Sequence, residues 1–423
     1  MKRGMILLLS ILLLSSFLFA QGSKESQELK NEGPAQLTVW AWDSSFNGYA
    51  IQQADALDDS VTVEFVEMGK AAALQKLHTI LASGTTENLP DIVLISDLNA
   101  QGYLMSYPGA FASMDDVIKY DDFAAYKKEM VSYNGVGYGI PFDTGVAGLF
   151  YRTDYMDEIG VTKEYMDNLT WDQYLALGPR LKEKGHLLQT FNPNDIAEFQ
   201  IMLQSAGSWY TDQNGNANFS NNPALAECFR IFKELNQADF TKVVSDWGGF
   251  AGAINGGEVA TVLRGSWISS TIMNNPEHSG KWALAPIPKM NIPGAVKYSN
   301  QGGSSWFILS KAPQRKAAES FMAKTFGGSV ELYDTLLRGK TILGTYLPGM
   351  KALAYNEGSP FYGGQKINMQ LADWASKIPS VNTGAFSAEA QASLVSITPK
   401  LLGGADYAQL MKEAESQFKQ KIQ

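Results

Sequence analysis

A two-lobed α/β protein is what this sequence predicts, on three observations. Between Leu37 and Ile95 the chain alternates strand, helix, strand, helix and strand, the order that builds a sheet with crossover helices. Once a leader is set aside, about 400 residues remain, more than a single hydrophobic core organises. Around residues 135–152 and again from Gly302, glycine-rich turns run straight into apolar segments, the texture of stretches that cross between two bodies.

The elements follow in order. Lys2 and Arg3, an apolar run from Met5 to Phe19 and the small residue Ala20 predict a secretory signal over 1–20. That run is short for a membrane span. Polar residues with Gly and Pro over 21–35 read as a flexible linker. Leu37–Trp42 alternates as a strand, Asp43–Gly48 makes a loop, and a helix extends to about Leu57. Val61–Val66 is a second strand, and Lys70–Ser83 sets Leu74, Leu77 and Leu81 at helical spacing before the stop at Gly84. Pro90–Ile95 is a continuous apolar run ending at Ser96-Asp97, as in a buried parallel strand whose carboxyl end meets a ligand crevice.

In the middle of the chain, Gly135, Gly137 and Gly139 allow tight turns, and Pro141 removes a ladder donor where a first strand is expected to end. Asp143 and Thr144 then fall in a bend, Gly148–Arg152 forms a buried strand, and Thr153 or Asp154 caps a short helix closed by Gly160. Thr170 and Gln173 have capping-box spacing, with Gly185 ending that helix. Asn222-Pro223 opens a helix with Leu225, Phe229, Phe232 and Leu235 inward. Glu258–Leu263 is a strand leading to Arg264 and Trp267, Gly302–Leu309 another, and Pro313–Phe326 an Ala-rich helix. The last helix follows Asp406 and aligns Leu410, Ala414, Phe418 and Ile422.

Bulk composition excludes several function classes. The formal charge of −9 repels nucleic acid and anionic lipid. The single Cys228 excludes an internal disulfide framework and a multi-thiol metal centre, and its helical spacing with Leu225, Phe232 and Leu235 makes it a core thiol. His78, His186 and His278 show no metal spacing and are expected at the surface. No nucleophile elbow, phosphate loop or dinucleotide fingerprint occurs, so neither a cofactor nor a metal is expected.

The site chemistry points to carbohydrate. Sugars offer apolar C–H faces and many hydroxyls, so they need aromatic platforms beside carboxylates and amides. Trp42 stands next to Asp43 and Trp267 near Arg264, both at predicted strand ends; Trp247 lies among glycines, and Trp306 and Trp374 are further candidates. Competing structural readings exist. Asp43 and Asp97 could cap helices, Asp143 could serve a turn, and Arg264 could pair with a surface acid.

Six stretches, in this order, resemble the extracellular solute-binding proteins of ABC importers, family 1, the sugar-binding group. They are Trp40–Asp43 with Phe46–Tyr49; Pro90–Val93 with Asp97; Tyr138–Tyr151; Thr170-Trp171; Gly256–Trp267; and Gly302–Lys311. The resemblance implies two α/β lobes of the type II-like periplasmic binding protein kind, each with a mainly parallel sheet flanked by helices. Lobe 1 would take 36–142 plus 301–342, and lobe 2 would take 143–300 plus 343–423. It implies ligand contacts from Trp42, Asp43, Phe46, Asp97, Asp143, Trp247, Arg264, Trp267, Gly303, Ser304, Trp306 and Trp374. It implies a monomeric periplasmic receptor that delivers sugar to a membrane permease. Ala20-Gln21 stands where many such proteins carry a lipid-modified Cys, so a lipid anchor is not expected. Two alternatives stay open: a secreted glycosidase, since paired carboxylates beside sugar platforms are that enzyme's equipment, and a receptor for a polyamine or phosphate ester on the same fold.

Overall fold

The computed structural model describes residues 34–422 apart from 213, 214, 380 and 382; the expected leader and nearly all of the linker lie outside the described residues. Eleven strands are present among the described residues: β1 (Ala35–Ala41), β2 (Val61–Glu67), β3 (Ile92–Ser96), β4 (Ser132–Tyr133), β5 (Val136–Gly137), β6 (Gly139–Arg152), β7 (Gln189–Phe191), β8 (Thr241–Val243), β9 (Thr261–Gly265), β10 (Trp282–Ala285) and β11 (Asn300–Ile308). Seven of them make one sheet in the order β10-β6-β11-β3-β1-β2, with β9 also on β6. β1 begins at Ala35, paired with Val61, so the first strand among the described residues takes in the last residue of the expected linker.

β2, β1 and β3 run parallel, as the strand–helix alternation predicts, with the helix Lys70–Ser83 as one crossover. The strands around β6 differ from the expected mainly parallel sheets. β11 is antiparallel to both β3 and β6, while β9 and β10 flank the second half of β6, also antiparallel. The cause is β6 itself, a single strand of fourteen buried residues. The expected strand end at Pro141 and bend at Asp143 are therefore corrected. Pro141 faces Ser305 and Asp143 faces Ser304, so Phe142 is an extra residue at a bulge, the place where a strand tolerates proline's missing donor.

Alternation along β6 places it in both lobes. Ile140 and Phe142 pack with the β1–β3 apolar residues and with Trp306 to Leu309 in a first core. Beyond the bulge, Ala147, Leu149 and Tyr151 point into a second core built on Phe199, Leu225, Cys228 and Phe418. Val146 and Phe150 point the other way, into a third core with Leu284, Ile254 and Leu371. Most sequence signals at the helix ends operate as read, but neither Thr153 nor Asp154 caps the short helix expected there: both lie inside Thr153–Glu158, and Arg152 stands at the N-cap with no side-chain hydrogen bond. Thr170 and Gln173 form the capping box, although the helix breaks at Ala176; Asn222 caps Pro223–Gln237; Asp406 caps Tyr407–Lys421. No helix among the described residues is long and apolar enough to cross a membrane.

Candidate functional site

Three crossing segments lie side by side between the lobes. β6 pairs with β11 through Asp143 and Ser304, and on its other side Thr144 N–H donates to Leu343 C=O (2.9 Å) while Thr345 N–H donates to Phe142 C=O (2.9 Å). Gly303, with φ +98°, brings this junction close to the end of β3: a Cβ there would stand 2.3 Å from Asp97 Oδ2. At Gly145 a Cβ would meet the Gln301 carbonyl oxygen at 1.9 Å.

The first-lobe wall gathers charged groups at the carboxyl ends of β1, β3 and the first half of β6. Asp97 opens the helix Asp97–Ser106 but makes no cap hydrogen bond; both its oxygens accept from Lys127 Nζ at 2.7 Å. Asp143 Oδ1 accepts from Ser304 N–H (2.8 Å) and Ser304 Oγ (2.6 Å). Burial pushes the carboxyl pKa of both Asp97 and Asp143 up; Lys127 pulls each back, and the charge of Asp97 adds to the rise at Asp143. Lys70 reaches solvent, with Nζ 5.7 Å from the Trp42 ring centroid. Crowding by protein atoms there lowers its pKa, against the pull of Asp97 and Asp143.

Trp42 is half-buried just past β1. The exposed Asp43, at φ 58°, takes the capping role weighed against ligand contact: Oδ1 accepts from Ser45 N–H, Phe46 N–H and Ser45 Oγ.

The second-lobe wall is aromatic. A cavity of about 250 Å³ is lined by Trp247, Trp267, Phe250, Arg264, Glu198 and Gln301, among others. Trp247 is 53% exposed at the start of the helix Trp247–Asn255, stacked on Phe250 (5.2 Å) and 6.0 Å from Trp267. Trp267 Nε1 donates to Gln301 C=O (2.9 Å), which fixes the ring. Arg264, buried in β9, pairs with Glu198 rather than with a surface acid and lies 4.9 Å over the Phe250 ring. A second cavity, about 490 Å³, lies between the lobes, with Gln101, Tyr126 and Glu129 on one side and Gln204, Asn300 and Pro379 on the other.

Three expected contacts are corrected. Trp306 is fully buried at the centre of the sheet, 5.4 Å from Phe142 and 5.5 Å from Phe326. Phe46 is buried in the same core, 6.4 Å from Phe142. Trp374 is buried in the third core beside Tyr298 and Gly148. In each case the ring is packed into a core and at most 6% exposed, so it offers no open face to a ligand. Trp306→Ala is accordingly expected to cost about 3–5 kcal/mol of stability in urea unfolding, while the folded fraction keeps its ligand affinity.

Sequence reasoning missed Lys70, Lys127, Gln301, Glu198 and the groups of the larger cavity. Only Lys70 carried a signal, as the first residue of a helix that follows a strand.

Two α/β lobes joined by crossing segments, one bearing an aromatic cavity and the other a cluster of charged groups near the crossing, define a two-lobe periplasmic binding protein fold. Residues 49–335 match the bacterial extracellular solute-binding proteins, and the chain belongs to that family. The lactose-binding protein of Rhizobium radiobacter is 38% identical over 393 residues, 92% of this chain and 93% of that one. The arabinooligosaccharide-binding protein of Halalkalibacterium halodurans is 24% identical over 382 residues, 84% of this chain and 82% of that one. Among solved structures, an ABC-transporter-associated binding protein of B. animalis subsp. lactis in complex with β-1,6-galactobiose aligns at TM-score 0.76 and 21% identity, over 92% of this chain and 97% of that one.

Proposed function

We propose that this chain is an extracytoplasmic receptor that captures a short sugar between its lobes and delivers it to the permease of an ABC importer. The observation that carries this reading is the pair Trp247 and Trp267, 6.0 Å apart in a cavity that also presents Glu198 and Arg264. Such a surface offers stacking for sugar C–H faces and charged partners for hydroxyls. Solute that bridges the walls biases an open-to-closed equilibrium, and the closed form is what the permease recognises. We place the lobe divisions near 142/143, 300/301 and 342/343; Phe142 packs in the first core and Val146 in the third, while at the last crossing the cores interleave, with Leu337 and Leu343 in the third and Ile342 and Tyr346 in the first. We take the mature protein to be a monomer that starts after Ala20, without a lipid anchor.

Glycoside cleavage needs one carboxyl free to give a proton and a second free to attack or to activate water. Here Asp97 is committed to Lys127 and Asp43 to its own capping turn, which favours binding over catalysis.

The named ligands of the lactose- and galactobiose-binding relatives share a galactose unit, so a galactoside disaccharide is the first probe. Calorimetry is expected to show lactose binding at least about tenfold tighter than cellobiose, which differs in the configuration of one hydroxyl; that gap corresponds to about 1.4 kcal/mol. Recovery of cleaved sugar, or binding of spermidine or a sugar phosphate in place of every neutral disaccharide tried, would overturn the reading.

A further inference from the structure

The groups nearest the crossing include one that the sugar-binding reading does not use. Lys127 has no solvent exposure, although its neighbour Lys128 is exposed on the same short helix, Ala125–Met130. Its Nζ lies among four acceptors: Asp97 Oδ1 and Oδ2 at 2.7 Å, Ser304 C=O at 2.9 Å and Asp143 C=O at 3.0 Å. One ammonium therefore joins the end of β3 to both crossing strands, at the residue pair where they meet.

Stability alone is a poor account of this arrangement. A buried ion pair returns little net stability against an apolar replacement of the same volume. What the ammonium does change is the field at Asp143. Among the described residues Asp143 Oδ2 takes no hydrogen bond, while Oδ1 is held by Ser304. The titratable groups that act on Asp143 come from four helices: Asp97, Lys127 and Tyr126, Lys70, and Tyr333 of Val330–Lys340. Asp97 is the opposing charge, and Lys127 is the one cation in contact with it among the described residues.

We propose that Lys127 is a positioning residue of the sugar site: by neutralising Asp97 and gripping the Asp143 and Ser304 carbonyls, it keeps Asp143 an ionised acceptor presented to the ligand. The proposal rests on the sugar-receptor reading for its ligand, but not for its first measurement. A carboxylate that accepts sugar hydroxyls binds only when deprotonated, so affinity falls as pH falls through its folded-state pKa. Without Lys127, two neighbouring buried carboxyls compete for one charge, and that fall moves to higher pH.

The test uses the mature protein and the variants Lys127→Met and Lys127→Met/Asp97→Asn. The Asp143 carboxyl is followed by carbon NMR in the unliganded protein, and lactose affinity by calorimetry from pH 4 to 8. In Lys127→Met the Asp143 midpoint, and the pH at which affinity is lost, are expected to rise by about 1–3 pH units. In the double variant, where the opposing charge is gone too, both are expected to return to within about one pH unit of the wild type. A loss of affinity equal at every pH with the Asp143 titration unmoved would overturn the proposal, leaving Lys127 a strut. So would a double variant that folds but titrates like the single one. If Lys127→Met fails to fold, Asp97→Asn with Lys127 kept decides on the same titration: with the repelling carboxylate gone and the ammonium in place the Asp143 midpoint is expected to fall below that of the wild type, and an unmoved midpoint overturns the proposal. Should lactose not bind the wild type, the sugar reading fails, and the carboxyl titration still decides the role of Lys127.

Discussion

Trp267→Ala is expected to weaken sugar binding about 30-fold or more, a loss of about 2 kcal/mol, the size found where a buried aromatic anchors an interface. The ring does not need to be ordered by ligand: Nε1 is tied to Gln301 C=O and the ring lies tilted 6.0 Å from that of Trp247. Little conformational entropy is then lost on binding, and removal forfeits the stacking area outright. Trp267 also touches the first and third cores, so thermal unfolding should shift modestly as well. Trp247→Ala, at an exposed position, separates the two effects: its affinity loss should come with almost no change in Tm. Calorimetry and melting curves on both variants make the measurement, and an unchanged Kd in both would move the platform elsewhere.

Gly145→Ala is expected to lower stability by about 1–3 kcal/mol, the range for overpacking. The upper end is expected because the obstacle is backbone. A Cβ 1.9 Å from the Gln301 carbonyl oxygen can be accommodated only by prising β6 from β11 at the crossing. Sugar affinity should fall with it, since Gln301 also holds Trp267. Gly69→Ala is the control, with no atom within 4 Å of the added carbon and an ordinary φ. Urea midpoints for the pair should differ clearly; equal midpoints would mean that the crossing strands yield at no cost.

Where local chemistry decides the structure, the sequence was legible. The parallel β1–β3 arrangement, the Thr170–Gln173 box and the Asn222 and Asp406 caps follow from spacing that acts over a few residues. β6 was not, because Pro141 ends most strands and only a bulge opposite Ser305 lets this one continue. The tryptophans divide for a similar reason. An aromatic residue in a strand or helix reads alike in sequence whether it faces a crevice or a core, and Trp306 and Trp374 face cores. Lys127 was illegible in principle. Its acceptors lie 30, 16 and 177 positions away, and nothing local distinguishes it from Lys128.

The place of β11 in the sheet has a consequence for how the chain matures. Among the described residues it is the last strand to be synthesised, yet it lies between β6 and β3. Until residues 300–308 emerge, those two strands present open edges and the sheet remains in two parts. Joining them closes loops as long as the 208 positions between Asp97 and Ser305, and contacts so distant in sequence make folding slow. A chain built this way completes its central sheet only once residues 300–308 are available.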